Sequence, residues 1–491
     1  MRPFWSLANG SLWRFALLAA FIGCDGSKRG ASDVPLSVAE LKAVSATPAP
    51  AGLVSTPLTV DAPRHEKLKM VSLSIANTGA DPIEGLWLIG HGQPNFSSVP
   101  DLVKEAVPAT LSDREKALAI WQLVTRHRYH WYPPDAWAEP HDPLRLFCVY
   151  GYAQCDDASL VFRTLCAYAG LLTRNVSLGA KRDREELGHQ APEVFYDGAW
   201  HAFDADQSVF YLARDAQTVA SVAQCVADLD LVARTHHPLG NRDEMLLLYG
   251  QSKHALDLSP KADDPRVLDS IERLPRLYGH HRMQWHLRPK ERVDYHWGNE
   301  GKFYYAFFAD REKGKPPAYA NGTVQLPVDF RSEAFRDVVL CYENAASSSE
   351  GLGLVSPRRP GSVVVEMRSP YVLVDAWLDL DCAIQSSSEL KVYGLHTERV
   401  PARQFWREEG VLRGPHRGQA RVPMPGLFRS PGGRQMALYR YVSKIELRGK
   451  SVRVRRLVAS ATFQCAPANL PALKPGGNAM RLLAPANLPL D

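Results

Sequence analysis

Apolar residues along this chain change their spacing several times, and each spacing predicts a different element. Between Ser112 and Arg126 they recur as Ala117, Ile120, Trp121 and Val124, the i, i+3, i+4, i+7 stripe of an amphipathic helix. Ser112 and Glu115 form a capping-box pattern at its start, and Pro133-Pro134 forbid its continuation. A second helix is predicted from Cys155, with Ala158, Val161, Phe162, Leu165 and Ala169 as its apolar stripe and Gly170 as its stop. The strand-like LLTRNVSLGA follows. Then Glu193-Val194-Phe195-Tyr196 and Trp200-His201-Ala202-Phe203 flank Asp197-Gly198, a strong two-residue hairpin signal. Residues 205–250 read as helical and mixed.

Elsewhere the period is two. LKMVSLSIANTG, from Leu68, alternates and then turns, and ADPIEGLWLIG supplies a second strand. From about residue 290 strand patterns dominate: KFYYAFFA, SVVVEMRS, YVLVDAWLDL, LKVYGL, MALYRYVSKIEL and VRVRRLVASATFQ, separated by Pro/Gly/Ser segments. That texture predicts an antiparallel β-sandwich. The implied organisation is 1–23 signal peptide, 24–65 flexible tether, 66–100 small N-terminal β element, 101–250 α+β core, 251–289 connecting segment, 290–465 β-sandwich region and 466–491 Pro-rich tail.

At 491 residues the chain exceeds one hydrophobic core. Its 45% hydrophobic and 23% charged content is that of a globular protein, and a net charge of +5 without dense Lys/Arg runs argues against nucleic acid as a partner. The start differs from the rest. Arg2 and Arg14 precede or flank FALLAAFIG, residues 15–23, too short to span a bilayer but suited to the apolar stretch of an export signal. Cys24 follows at once, and the whole resembles a bacterial lipoprotein signal. It implies lipidation at Cys24, export, and attachment to a membrane facing the periplasm or cell surface through that anchor alone.

None of the other cysteines forms a CxxC pair, so a zinc knuckle is not expected, and buried free thiols are the simplest reading for most of them. Adjacent histidines at His236-His237 and His280-His281 would point to opposite faces of a strand and form no chelate. No cofactor or metal is expected. The acidic run AWLDLD reads as a half-exposed strand.

The chemistry concentrates in YGYAQCDDASLVFRTLCAYAG and GHQAPEVFYDGAWHAFDAD. Cys155 sits in the first turn of a helix, where unpaired N–H groups favour a thiolate. His189 can take the thiol proton, and a carboxylate can orient its ring through the second nitrogen. With a two-residue turn at Asp197-Gly198, paired positions sum to 395. His189 then faces Asp206, with Asp204 as diagonal neighbour on the same face, so register alone allows either aspartate. The backbone N–H of Cys155 is the natural oxyanion donor. Trp131, Tyr150, Tyr152 and Gln154 could add a side-chain donor, although packing is the simpler role for the aromatics.

The order Cys, then H-x3-E-V-x2-D-G-x-W-x3-D, resembles the transglutaminase-like superfamily, a branch of the papain-like cysteine fold, across roughly residues 100–250. His189, Glu193, Val194, Asp197, Gly198, Trp200 and Asp204 fall on its spacing, and YAQCDDA resembles its cysteine motif. RSPYVLVDAWLDL and NLPALKPGGN loosely resemble the C-terminal portions of exported bacterial transglutaminase-domain proteins. The resemblance implies a papain-like core and a catalytic triad of Cys155, His189 and Asp204. It selects Asp204 over Asp206. The expected activity is thioester acyl transfer on peptide or protein amides, hydrolytic as in a peptidase or amidase. The chain departs from the motif at His-Gln-Ala-Pro after the histidine, at Asp156 and at Pro192. These departures make an inactive surface-binding module the alternative. A further alternative places function in the sandwich, with a cell-surface glycan or protein as its partner.

Overall fold

The computed structural model describes residues 53–62, 72–90, 92–130, 139–252, 260–297, 321–399, 402–428, 437–466, 469–470 and 473–485. The signal region, Cys24, Trp131 and KFYYAFFA lie outside them.

The chain is α+β, and apart from one short parallel pair, Tyr129–His130 with Tyr152–Ala153, its sheets are antiparallel. Its strands are β1 (Leu53–Ala62), β2 (Ser72–Ala76), β3 (Ile83–Gly90), β4 (Tyr129–His130), β5 (Tyr152–Ala153), β6 (Thr173–Arg182), β7 (Glu185–Tyr196), β8 (Ala199–Ala202), β9 (Trp285–Leu287) and β10 (Arg292–His296). The C-terminal part adds β11 (Asn321–Asp329), β12 (Cys341–Glu343), β13 (Ala345–Ala346), β14 (Gly353–Leu354), β15 (Gly361–Ile384), β16 (Glu389–Arg399), β17 (Ala402–Arg413), β18 (His416–Pro423), β19 (Leu438–Arg448), β20 (Val452–Gln464) and β21 (Gly476–Pro485). Three helices shape the site region: α1 (Val99–Ala106), α2 (Asp113–His127) and α3 (Cys155–Tyr168). Among the described residues no helix is long and apolar enough to cross a membrane.

The long strand β15 organises the C-terminal half. It pairs with β19 and then β18 along one edge, and with β12 and β20 along the other. Two sequence-predicted strands, SVVVEMRS and YVLVDAWLDL, are therefore one. Pro370 sits between them, in a stretch where the register with β19 shifts between Arg368 and Leu373. A residue without an N–H is tolerated where the ladder is broken. Outward from β15 the sheet runs through β20, β11 and β10 to β2 on one side and through β19 and β16 to β17 on the other.

The N-terminal strands are woven into this half. β2 closes the edge of the large sheet against β10, while β3 joins a second sheet in the order β1-β21-β3-β9. The tether reading is corrected at residues 53–62, which form β1 and pair with β21 along their whole length. Thr56, Leu58, Val60 and Ala62 alternate inward there, and the Ser/Pro-rich composition around them hides that period of two. The Pro-rich tail likewise contributes β21. Trp87, Trp285, Tyr295, Tyr371 and Phe463 bury their rings together where β3, β9, β10, β15 and β20 meet; the Tyr371 and Phe463 centroids stack 4.9 Å apart. One continuous apolar core runs from α1–α3 into the large sheet, with a smaller one beneath β6–β8.

The segment leading to Cys155 lies at this junction. Residues 145–150 form a single π-helical turn ended by Gly151, whose left-handed backbone (φ 74°) suits glycine. The Tyr150 hydroxyl lies 3.4 Å from that of Tyr439, Arg145 covers the Tyr439 ring at 4.8 Å, and the Ala466 N–H donates to the Cys148 carbonyl at 2.8 Å. His281 accepts from Arg145 Nε at 3.3 Å through Nδ1, and its Nε2 donates to the Pro370 carbonyl at 2.6 Å. Burial, then Arg145, pushes the His281 imidazolium down to about 4, so the ring is neutral here. The approach to the helix bearing Cys155 is thus held by the large sheet itself.

Candidate functional site

Helix α3 begins at Cys155 as the sequence predicts, with Ala158, Val161, Phe162 and Leu165 buried and Gly170 left-handed beyond its end. Just upstream, β5 pairs in parallel with β4, Tyr129 opposite Tyr152 and His130 opposite Ala153. The two tyrosine rings stack at 5.6 Å, and the chain reaches the helix start in a fixed register. Cys155 is half-buried, whereas Cys148, Cys166, Cys225, Cys382 and Cys465 are buried. Burial pushes Cys148 and Cys166 well up, which leaves them as inert neutral thiols.

The hairpin has the predicted geometry. Asp197 (φ 49°) and Gly198 (φ 74°) take left-handed conformations, and Tyr196 pairs with Ala199 and Glu193 with Ala202. β7 also pairs with β6, which puts His189 opposite Leu178. β8 ends at Ala202. The Phe203 N–H still reaches the Pro192 carbonyl at 3.1 Å, and the chain then bends so that Asp204 bridges Val209. This bend decides between the two aspartates.

Asp204 Oδ2 lies 2.6 Å from His189 Nε2, with both side chains about 2–3% exposed. Its Oδ1 accepts from the Gln207 N–H at 2.9 Å, and its backbone carbonyl accepts from Trp121 Nε1 at 3.1 Å, so α2 helps hold the backbone that carries the carboxylate. With Nε2 engaged, the other ring nitrogen is the one left for Cys155, which lies near enough to the His189 ring to favour its charged form. The three groups separated in sequence therefore meet in the fold. Burial alone would push the His189 imidazolium down. Asp204, and after it Cys155, outweigh burial and hold it well above the ordinary histidine value.

Asp206 has other partners. Arg128 Nη1 and His130 Nδ1 each approach its Oδ1 to 2.9 Å, and Gln207 Nε2 donates to Oδ2 at 2.6 Å. Arg128, itself buried, also donates to the carbonyls of Ala153, Ala205 and Asp206. Burial would raise the Asp206 carboxyl, but His130, followed by Arg128, holds it below its usual value. This pair fastens the loop carrying Asp204 to the strand that precedes Cys155. Nothing in the periodicity around Arg128 and His130 marks them out: a basic residue at a helix C-terminus reads as ordinary dipole complementarity.

The other departures from the motif have local explanations. Asp156 is exposed at the helix start, and Asp157 turns back toward the backbone, its Oδ2 3.4 Å from the Gln154 N–H and its Oδ1 3.1 Å from His141 Nε2. Burial pushes the Asp157 carboxyl up against the pull of His141. His141, Asp156 and Asp157 are the one group of candidate metal ligands among the described residues, and their donor atoms lie within 4.8 Å of one another. The positive end of α3 disfavours a cation there. Gln190, which follows His189, hydrogen-bonds Asn175 and Ser177, and Asn175 in turn accepts from Ser159 on α3. Glu193, fully buried, accepts Arg174 Nε and Nη2 at 2.7 Å and the Val222 N–H at 2.8 Å, while Arg174 stacks on Trp200 at 4.3 Å. Glu193 and Trp200 thus brace the hairpin that carries His189.

Of the oxyanion candidates, Tyr150 is buried with its hydroxyl beside that of Tyr439, Tyr152 is buried against the Tyr129 ring, and Gln154 is half-buried next to the thiol. Among the adjacent histidines, His237 is buried with Nε2 on the Val232 carbonyl, and His281 sits in the junction described above. Asp379 and Asp381 lie on β15 and pair with Arg421 and Arg455.

The arrangement can serve as a nucleophilic thiol centre: a thiol at a helix start, an imidazole near it, and a buried carboxylate behind the imidazole. No protein-family model matches this chain, and no curated protein is similar to it in sequence.

A pH dependence follows from His189. A histidine whose folded value is raised contributes stability that is fully present below the unfolded value, about 6.5, and lost as pH rises through the folded value. Denaturant unfolding of wild type and His189→Gln is therefore expected to differ most near pH 6 and progressively less at alkaline pH. A gap that widens with pH contradicts the ion-paired imidazolium.

Proposed function

We propose that this chain is an exported, lipid-anchored cysteine enzyme with a transglutaminase-like, papain-type core, and that it hydrolyses peptide or protein amides through a thioester. The observation that carries this reading is the contact chain from Cys155 through His189 to Asp204. Cys155 Sγ attacks the amide carbonyl, forming a C–S bond. His189 accepts the thiol proton and delivers it to the leaving amine as the C–N bond breaks. Water, deprotonated by the same imidazole, then displaces the thiolate and releases the acid. Asp204 keeps the ring oriented and balances the imidazolium. The Cys155 N–H at the start of α3 faces the developing oxyanion.

The test is amine release from a mixed protein digest, run with and without a labelled primary amine. Release of new amino groups by the wild type, little incorporation of label, and loss of both with Cys155→Ala support a hydrolase. Stoichiometric incorporation of the labelled amine would instead identify a crosslinking acyltransferase. Equal release by wild type and Cys155→Ala would remove the mechanism.

A further inference from the structure

At the far end of the large sheet, away from Cys155, a cleft of about 1040 Å³ opens between the turn after β15, the start of β18, the β19–β20 turn and the loop before β14. Its lining is strongly one-signed. Arg417, Lys450, Arg453 and Arg455 contribute four positive charges and Glu350 one negative charge. Two of the cations are partly neutralised. Arg455 makes a two-bond pair with Asp381 at 2.6 and 2.9 Å, and Arg453 lies 3.9 Å from Glu350. Arg417 and Lys450 are exposed and have no ion-pair partner among the described residues. His416, also in the lining, carries a buried Nε2 with no hydrogen-bond partner among them.

The local backbone is shaped around these side chains. A Cβ at Gly353 would lie 2.0 Å from Arg453 Nη1, so glycine at that position leaves the space the guanidinium occupies. A Cβ at Gly414 would strike the Gln385 carbonyl at 1.9 Å, so the chain entering β18 can press directly onto the turn after β15. The Gln385 N–H donates to the Ser451 carbonyl at 2.9 Å, tying the second turn to the first. The walls are thus fixed by backbone contacts while the cationic ends remain available.

We infer that this cleft binds an oligoanion, a chain of linked phosphate or carboxylate groups. One oxyanion would leave most of the volume empty, and cations from two separate segments, Arg417 on β18 and Lys450, Arg453 and Arg455 along the β19–β20 turn and the start of β20, suit several anionic groups at intervals. Among the described residues the lining offers no Trp, Tyr or Phe face for a base to stack on and no apolar trough for an acyl chain, which argues against single-stranded nucleic acid and against a lipid tail. The site is independent of the thiol chemistry and would hold the protein on an anionic polymer.

Calorimetric titration of the full chain with inorganic tripolyphosphate and, separately, with trigalacturonic acid tests this. At least one probe is expected to bind the wild type, more weakly as salt is added. The Arg417→Ala/Lys450→Ala double variant is expected to bind about tenfold or more weakly at an unchanged thermal midpoint. Gly353→Val, which displaces Arg453, should weaken the same probe. The probe that binds distinguishes phosphate from carboxylate as the recognised group. No binding of either probe by the wild type, or equal binding by the folded double variant, overturns the proposal.

Discussion

Asp204→Asn is expected to lower turnover by about 10⁴-fold while leaving the fold intact, the effect of losing the carboxylate behind a catalytic imidazole. An amide of similar shape still occupies the place beside His189 Nε2 and can still meet the Gln207 N–H. It cannot balance an imidazolium, and it permits the ring to settle in the wrong tautomer. Alkylation of Cys155 by iodoacetamide at neutral pH, which needs no substrate, should slow in parallel. Asp206→Asn is expected to behave in the opposite way. It leaves the buried Arg128 without its carboxylate, a change that costs about 3–5 kcal/mol when a buried ion pair is broken. The loss should appear as a lower unfolding midpoint, with turnover per folded molecule much less affected. If Asp206→Asn abolishes turnover at full stability and Asp204→Asn does not, the roles of the two carboxylates have been exchanged.

The second large effect is expected at Glu193. Its carboxylate is fully buried and held by Arg174 and the Val222 N–H. Arg174→Met removes the guanidinium, strands the charge, and takes away the cation over the Trp200 ring. Breaking such a pair from one side costs about 3–5 kcal/mol, and the partner stacking adds to it. Denaturant unfolding measures the loss. Replacing both residues together by apolar side chains of similar volume should recover much of it, since no charge is then left unpaired. A single variant that unfolds at the wild-type midpoint would show that the pair does not support the hairpin.

Much of the site was legible in the sequence because it is built from short-range signals. The apolar stripe after Cys155 marks the helix, Asp197-Gly198 marks the turn, and the sum of 395 gives the observed pairing of β7 with β8. The choice between Asp204 and Asp206 was not legible from register. β8 stops at Ala202, the chain bends back to Val209, and the partner that claims Asp206 lies 78 residues earlier, at Arg128. Long-range pairing also explains what the fold reading missed. β1 and β21 are found together although more than four hundred residues separate them, and each is disguised by proline and small residues. β17, rich in charge, is held as an edge strand by β16 rather than by a pattern of its own. SVVVEMRS and YVLVDAWLDL read as two strands, and the single long β15 absorbs the Pro370 between them as an irregularity.

The central claim is that the sulfur of residue 155 is set apart from every other thiol by the imidazole beside it. Brief labelling of the folded chain with limiting iodoacetamide at neutral pH, followed by mass spectrometry of the peptides, tests this without assuming a substrate. The account predicts that the label falls on Cys155, ahead of Cys148, Cys166, Cys225, Cys382 and Cys465, and that His189→Ala removes this preference. Label spread evenly over the thiols, or fast labelling of Cys155 that persists without His189, would contradict it.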